Sequence, residues 1–168
     1  LGSTPHRSFG TWPLTAIAVD GCRVTEGAEA ILPSWPSWPE KRLRRVSRST
    51  RLARPAVRQA LSEARLLDAN DRCLLPRLEM SVSTTACGME KGEEFLRALW
   101  SKTRTGQSAR VAQYQSQAQT GAIHDLFGFD GPVMTVANAC AGGGNAIGHA
   151  ADLIRSGMTD IVLAGGYE

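Results

Sequence analysis

No run of about 18 apolar residues occurs in the chain, so no segment is long enough to cross a bilayer as a helix. The first residues, Leu1-Gly2-Ser3-Thr4-Pro5-His6-Arg7, lack the charged-then-apolar order of a secretory signal and lack an initiating Met, which points to a trimmed start. Cysteine is sparse, at positions 22, 73, 87 and 140, with no C-x-x-C pair. That spacing excludes a compact disulfide framework and every familiar zinc-ligand pattern. A reducing cytoplasm is the expected compartment. Acidic residues are absent from one stretch, in which Lys41, Arg42, Arg44, Arg45, Arg48, Arg51, Arg54 and Arg58 place eight positive charges within eighteen residues. The remainder carries eleven basic against sixteen acidic residues, so the net charge of +3 conceals a local basic segment on an acidic chain. Two readings stay open: a solvated helix face, or a docking patch for an acidic partner centred on Arg44, Arg45, Arg48 and Arg51. The segment has no interleaved aromatics and matches no nucleic-acid-binding module, which counts against nucleic acid as the partner.

What is present suits an ordinary globular chain, with 42% hydrophobic and 21% charged residues over 168 positions. Leu14 to Asp20 reads as a buried strand that ends in a turn at Gly21. Between Ile31 and Pro39 three prolines alternate with Trp35 and Trp38, giving an extended loop packed by two indoles. A helix is expected from about Thr50 to Leu67, with Pro55 best placed in its first turn. Leu78 to Thr84 predicts a second strand, and Glu90 to Trp100 a helix with Phe95, Leu96 and Leu99 on one face. Residues 101–116 read as a polar loop, and Ala118 to Phe127 as a helix stopped by Gly128. A turn at Gly131-Pro132 leads to a strand over Val133 to Ala137. Next come a small-residue helix from about Ala141 to Ser156, with Gly157 at its C′ position, and a strand over Asp160 to Ala164. Strands alternating with helices predict an α/β fold with an at least partly parallel sheet.

The segment that carries chemistry is Val133 to Glu168, where Cys140 falls between a strand and a helix. A thiol at a helix N-terminus faces unpaired backbone N–H groups and the positive dipole end, which favour thiolate and can receive the oxygen of a thioester carbonyl as it becomes an oxyanion. Gly142, Gly143 and Gly144 follow it, each costing about 1 kcal/mol of helix propensity relative to Ala. Close approach of the backbone to a substrate or a facing element would compensate. Cys87, in Ser83-Thr-Thr-Ala-Cys87-Gly88, stands in a similar local setting, but Glu90, Glu93 and Glu94 oppose a thiolate there. Cys22 and Cys73 read as structural. His149 lies nine residues beyond Cys140, or about 13 Å of helix rise, out of reach of the thiol.

Asn138-Ala-Cys140-Ala-Gly, Asn145-Ala-Ile-Gly-His-Ala, Leu153-Ile-Arg-Ser-Gly157 and Asp160-Ile-Val-Leu-Ala-Gly-Gly-Tyr-Glu168 together closely resemble the nucleophile region of β-ketoacyl synthases of the thiolase superfamily. Gly121-Ala-Ile-His-Asp-Leu-Phe-Gly128-Phe-Asp-Gly-Pro132 is similar to the helix and turn that lead into that strand, and Arg48-x-x-Arg51-Leu-Ala to the family's first helix. The resemblance spans most of residues 14–168, leaving 1–13 as an N-terminal extension. It implies a thiolase-like N-terminal half, layered α-β-α with a mixed, mostly parallel sheet, and a missing C-terminal half. The implied reaction is acyl transfer to Cys140, then decarboxylative Claisen condensation with a malonyl thioester on acyl carrier protein, in fatty acid or polyketide biosynthesis.

No bound cofactor is implied, since phosphopantetheine on the carrier protein brings the substrates. The family's two catalytic histidines come from the other half, so His124 and His149 are not their counterparts, and a second chain is the expected partner. Family members dimerise through the strand matching Val133 to Ala137, so a dimer is expected too. Asn138 stands where elongating synthases usually carry Thr or Ser. A thiolase-type acyltransferase is the nearest alternative. A non-catalytic partner subunit or truncated product is another, although chain-length factors usually carry Gln in place of the cysteine.

Overall fold

The computed structural model describes residues 12–15, 17–30, 46–101 and 108–168. The chain divides into two compact units, Leu1–Trp35 and Pro36–Glu168.

In the first unit, β1 (Trp12–Pro13) pairs antiparallel with β2 (Glu26–Gly27). The Leu14 N–H donates to Thr25 O at 3.0 Å, and Thr15 donates to Glu29 Oε2 through both its amide and its hydroxyl. The buried strand expected over Leu14 to Asp20 is not formed. Ile17 is 62% exposed, and the ladder is only two residues long on each side. Pro13 has no N–H to offer a longer ladder. The turn does fall where expected, with Gly21 at φ 77°. The Pro/Trp segment 31–39 lies outside the described residues.

The second unit opens on α1 (Arg48–Glu63). It begins seven residues before Pro55, not at it, because its first turn is well supplied with partners. The Ser47 hydroxyl accepts from Thr50 N at 3.1 Å, and the Arg48 N–H donates to Glu90 Oε1 at 2.8 Å. Pro55 therefore sits in the helix interior, where it removes one backbone hydrogen bond. The helix stops short of Leu67 because Arg65 adopts φ 59°, after which Leu67 bridges to Cys73.

Strand β3 (Glu79–Ser83) lies at the centre of a three-stranded sheet, between β4 (Val133–Val136) and β5 (Val162–Gly166), and both pairings are parallel. Between β3 and β4 come α2 (Met89–Trp100), α3 (Ser108–Tyr114) and α4 (Ser116–Phe127), which ends at Gly128 with φ 72°. Helix α3 occupies part of the stretch read as a polar loop. It is anchored by the Tyr114 ring, packed so tightly over Gly92 that a Cβ there would lie 2.8 Å from it. The expected apolar face of α2 is not buried: Leu99 is 60% exposed and Trp100 78%. After β4 come a 3-10 turn (Ala139–Ala141) and α5 (Gly142–Arg155), which leads to β5.

The period-two alternation of β3 divides the layers. Met80 and Val82 point into a core with Ala53 and Leu61 of α1, Ile123, Leu126 and Phe127 of α4, and Phe129. Ser81 and Ser83 face the other way, onto α5, where Ser81 Oγ donates to Ala146 O at 2.9 Å. Helices thus cover both faces of a parallel sheet, the α-β-α layering expected. Replacing Ser47, which is fully buried as the N-cap, by Ala should destabilise the unit by about 1 kcal/mol in urea titrations, with no change in the denaturant slope.

Candidate active site

Parallel pairing brings the C-terminal ends of the three strands together. Ser83 is in register with Val136 on one side and Gly166 on the other. The segments that leave these ends, Thr84–Cys87, Ala137–Ala141 and Tyr167–Glu168, meet at one edge of the sheet. Cys140 sits there, exposed, in the tight 3-10 turn between strand and helix. It lines a cleft of about 320 Å³ with Ser83, Ala139, Gly143, Gly166, Tyr167 and Glu168.

The preceding residue, Ala139, has φ 42°, a left-handed conformation that costs about 1 kcal/mol or more in a residue with a Cβ. Its N–H donates to Thr85 Oγ1 at 3.1 Å. Ala141 is the N-cap of α5 and makes no side-chain capping bond; the N–H groups of Ala141 and Gly142 donate to Asn138 O and Ala139 O within the turn, which leaves the capping of the next N–H groups to whatever binds beside the thiol. An uncapped helix start beside an exposed thiol can stabilise negative charge on sulfur or on an oxygen bound to the same carbon.

The three glycines separate into different roles. A Cβ on Gly142 would stand 1.9 Å from Ser83 Oγ, and one on Gly166 would stand 3.1 Å from Gly143 Cα. The compensation for Gly142 and Gly143 is therefore close packing of α5 onto strands β3 and β5. Gly144 has no neighbour within 4 Å of such a Cβ, and its face is open.

The other thiols and histidines are engaged elsewhere. Cys87 is buried, and burial pushes its thiol above the usual range, with a smaller opposing effect from Thr84 and a further upward push from Glu168. It is a neutral core group. Tyr167 is held protonated for the same first reason, burial, reinforced by Cys87 beside it. Cys73 is buried and Cys22 exposed in the other unit. His149 Nδ1 lies 3.2 Å from Ser81 Oγ, between α5 and β3. Because that hydroxyl already donates to Ala146 O, the imidazole is the donor. His124 packs edge-on against Phe129, ring centroids 4.6 Å apart, and burial lowers its pKa. Neither histidine lines the cleft. Among the described residues, no group of three or more His, Cys, Asp or Glu could hold a metal.

Of the basic segment, Arg44 and Arg45 lie outside the described residues. Arg48 and Arg51 are half-buried on α1, Arg54 is buried at 4% exposure, and Arg58 pairs with Asp71 at 2.8 Å. Sequence reasoning missed Thr85 and the Glu168 carboxylate, which accepts from Thr85 N at 2.5 Å and Ala86 N at 2.8 Å. The signal was present in the parallel-strand pattern, since equivalent ends of neighbouring parallel strands must converge.

Residues 16–168 match the family model for Beta-ketoacyl synthase, N-terminal domain. Nodulation protein E of Rhizobium sp. (strain N33) is 34% identical over 118 residues, which cover 70% of this chain and 29% of that protein. The polyketide beta-ketoacyl synthase 2 described from Streptomyces halstedii is 38% identical over 127 residues, 71% of this chain and 28% of its own length. The solved structure of the ishigamide ketosynthase/chain length factor shares the fold, with a TM-score of 0.72 and 22% identity, over 93% of this chain and 39% of that one. The chain thus spans less than a third of the length of these curated relatives.

Gly142→Ala should destabilise the unit by about 1–3 kcal/mol, because the methyl group overlaps Ser83 Oγ. Gly144→Ala meets no obstacle and should stabilise it by up to about 1 kcal/mol. Thermal melts of the two variants should therefore move in opposite directions.

Proposed function

Because this chain belongs to the β-ketoacyl synthase family as its N-terminal domain, we propose that Cys140 is its acyl acceptor. The thiolate attacks the carbonyl carbon of an acyl group carried as a thioester on the phosphopantetheine arm of acyl carrier protein. The oxygen takes up charge as the tetrahedral intermediate forms, and collapse expels the phosphopantetheine thiolate, leaving the acyl group on Cys140. Malonyl on a second carrier then loses carbon dioxide, and the resulting carbanion attacks the Cys140 thioester to form the new carbon–carbon bond and free the thiol. The observation that carries this reading is the exposed Cys140 thiol beside the uncapped start of α5.

The cleft contains no histidine among its lining residues, so proton handling in the condensation falls to groups from a C-terminal half or a second chain. The pairing in the ishigamide ketosynthase/chain length factor supports a second polypeptide as partner. That resemblance also favours the competing reading, a non-catalytic subunit of such a pair.

Incubation with an acyl thioester, followed by intact-mass and peptide mass spectrometry, separates the readings. An acyl adduct at Cys140, absent from Cys140→Ala, is the expected result. An adduct that forms only when a second polypeptide is present assigns the chain to a two-part enzyme. Absence of any adduct with or without that polypeptide favours the non-catalytic subunit.

The carrier is acidic, and we assign its docking to the basic segment around Arg44, Arg45, Arg48 and Arg51. Reversal of Arg44, Arg45 and Arg48 to Glu should weaken carrier binding about tenfold or more at low salt. Binding unchanged at low salt removes the assignment.

A further inference from the structure

Three segments far apart in sequence are tied together behind Cys140. The Glu168 side chain, at the end of β5, accepts the N–H groups of Thr85 and Ala86 at 2.5 and 2.8 Å. Thr85 in turn offers its hydroxyl oxygen to the Ala139 N–H at 3.1 Å. Backbone bonds support the same crossing: Thr84 N donates to Val136 O at 3.2 Å, and Tyr167 N to Ser83 O at 3.0 Å. Ala139 is the residue in the left-handed conformation, one position before the thiol. A conformation of that cost persists only where its surroundings over-determine it.

We propose that Glu168 and Thr85 are positioning residues for the Cys140 elbow. The carboxylate fixes the irregular backbone between β3 and α2, and the Thr85 hydroxyl, so placed, holds the Ala139 amide and with it the direction of the thiol. Two consecutive N–H groups converging on one carboxylate form charge-assisted bonds, the stronger kind, suited to pinning a loop that no regular ladder orders. Glu168 lines the same cleft as Cys140, so the arrangement reaches the thiol from the wall of its own site. This inference rests on Cys140 as the acyl acceptor, and it adds the means by which the thiol is aimed.

The full chain is compared with Thr85→Val, Thr85→Ser, Glu168→Ala and Glu168→Gln. Thr85 is exposed, so its replacements leave the core unchanged. The first readout is hydrogen exchange of the Ala139 amide, measured against the Met80 amide, which bonds to Pro132 O within the sheet. The second is the rate of Cys140 acylation by an acyl thioester, measured against alkylation of the exposed Cys22. Thr85→Val and Glu168→Ala should speed Ala139 exchange about five- to tenfold and slow acylation by a similar factor. Thr85→Ser, which keeps the hydroxyl, should stay within about twofold of the parent on both, and Glu168→Gln, with one uncharged acceptor oxygen for two N–H groups, should fall between the parent and Glu168→Ala. Ala139 exchange unchanged in Thr85→Val overturns the proposal. If Glu168→Ala loses Met80 protection as well, the contrast between Thr85→Val and Thr85→Ser decides. If the parent Cys140 takes no acyl group with or without a second polypeptide, the acceptor reading falls, while the exchange ratios still report whether Thr85 and Glu168 hold the elbow.

Discussion

Helix α5 can lie this close to the sheet only because its first turn presents no side chain of its own to the strand ends. The Gly142 backbone occupies space that a single methyl group would contest with Ser83 Oγ, and Gly143 meets Gly166 backbone to backbone. The rest of the site follows from that contact. The 3-10 turn must compress the path from β4 into α5, Ala139 takes up a positive φ to do so, and Cys140 is left outside, facing the cleft. The glycines give up helix propensity, which packing against the sheet offsets.

The same contact explains the composition of β3. One face carries Met80 and Val82 into the apolar core beneath α1 and α4. The other carries Ser81 and Ser83, small enough to admit α5 and polar enough to bond to it, since Ser81 reaches Ala146 O. A β-branched or longer residue at either serine would lift the helix away from the sheet. The thiol next door in sequence, Cys87, turns inward among Thr84 and Tyr167, and burial keeps it neutral. Two cysteines in similar local sequence thus differ through the side of the sheet edge on which each lands.

Much of this was legible in the chain. The alternating pattern of residues 78–84 marks β3, and Gly128 and Gly157 mark helix ends at which both adopt positive φ. The run of small residues after Cys140 marks a helix meant for close contact, and its glycines mark a close approach without saying to what. What local pattern could not supply was long-range pairing. The apolar run from Leu14 satisfies every local rule for a strand, yet its described residues lie in none, and the short ladder before it ends at Pro13. Helix α3 has a polar composition and is held by a tertiary contact between Tyr114 and Gly92. Pro55 looks like a start signal, but Ser47 and Glu90 supply stronger ones upstream. Thr85 and Glu168 lie 83 positions apart, and only the parallel register of β3 and β5 places them together.

That register also leaves both β4 and β5 with a neighbour on one side alone, among the described residues. On β4, the side chains of Val133 and Met134 are exposed at that rim. Open rims of this kind template the addition of further strands, so the tendency to associate through them grows with protein concentration. Whatever lies against the rims of β4 and β5 therefore decides whether this sheet stays as three strands or grows.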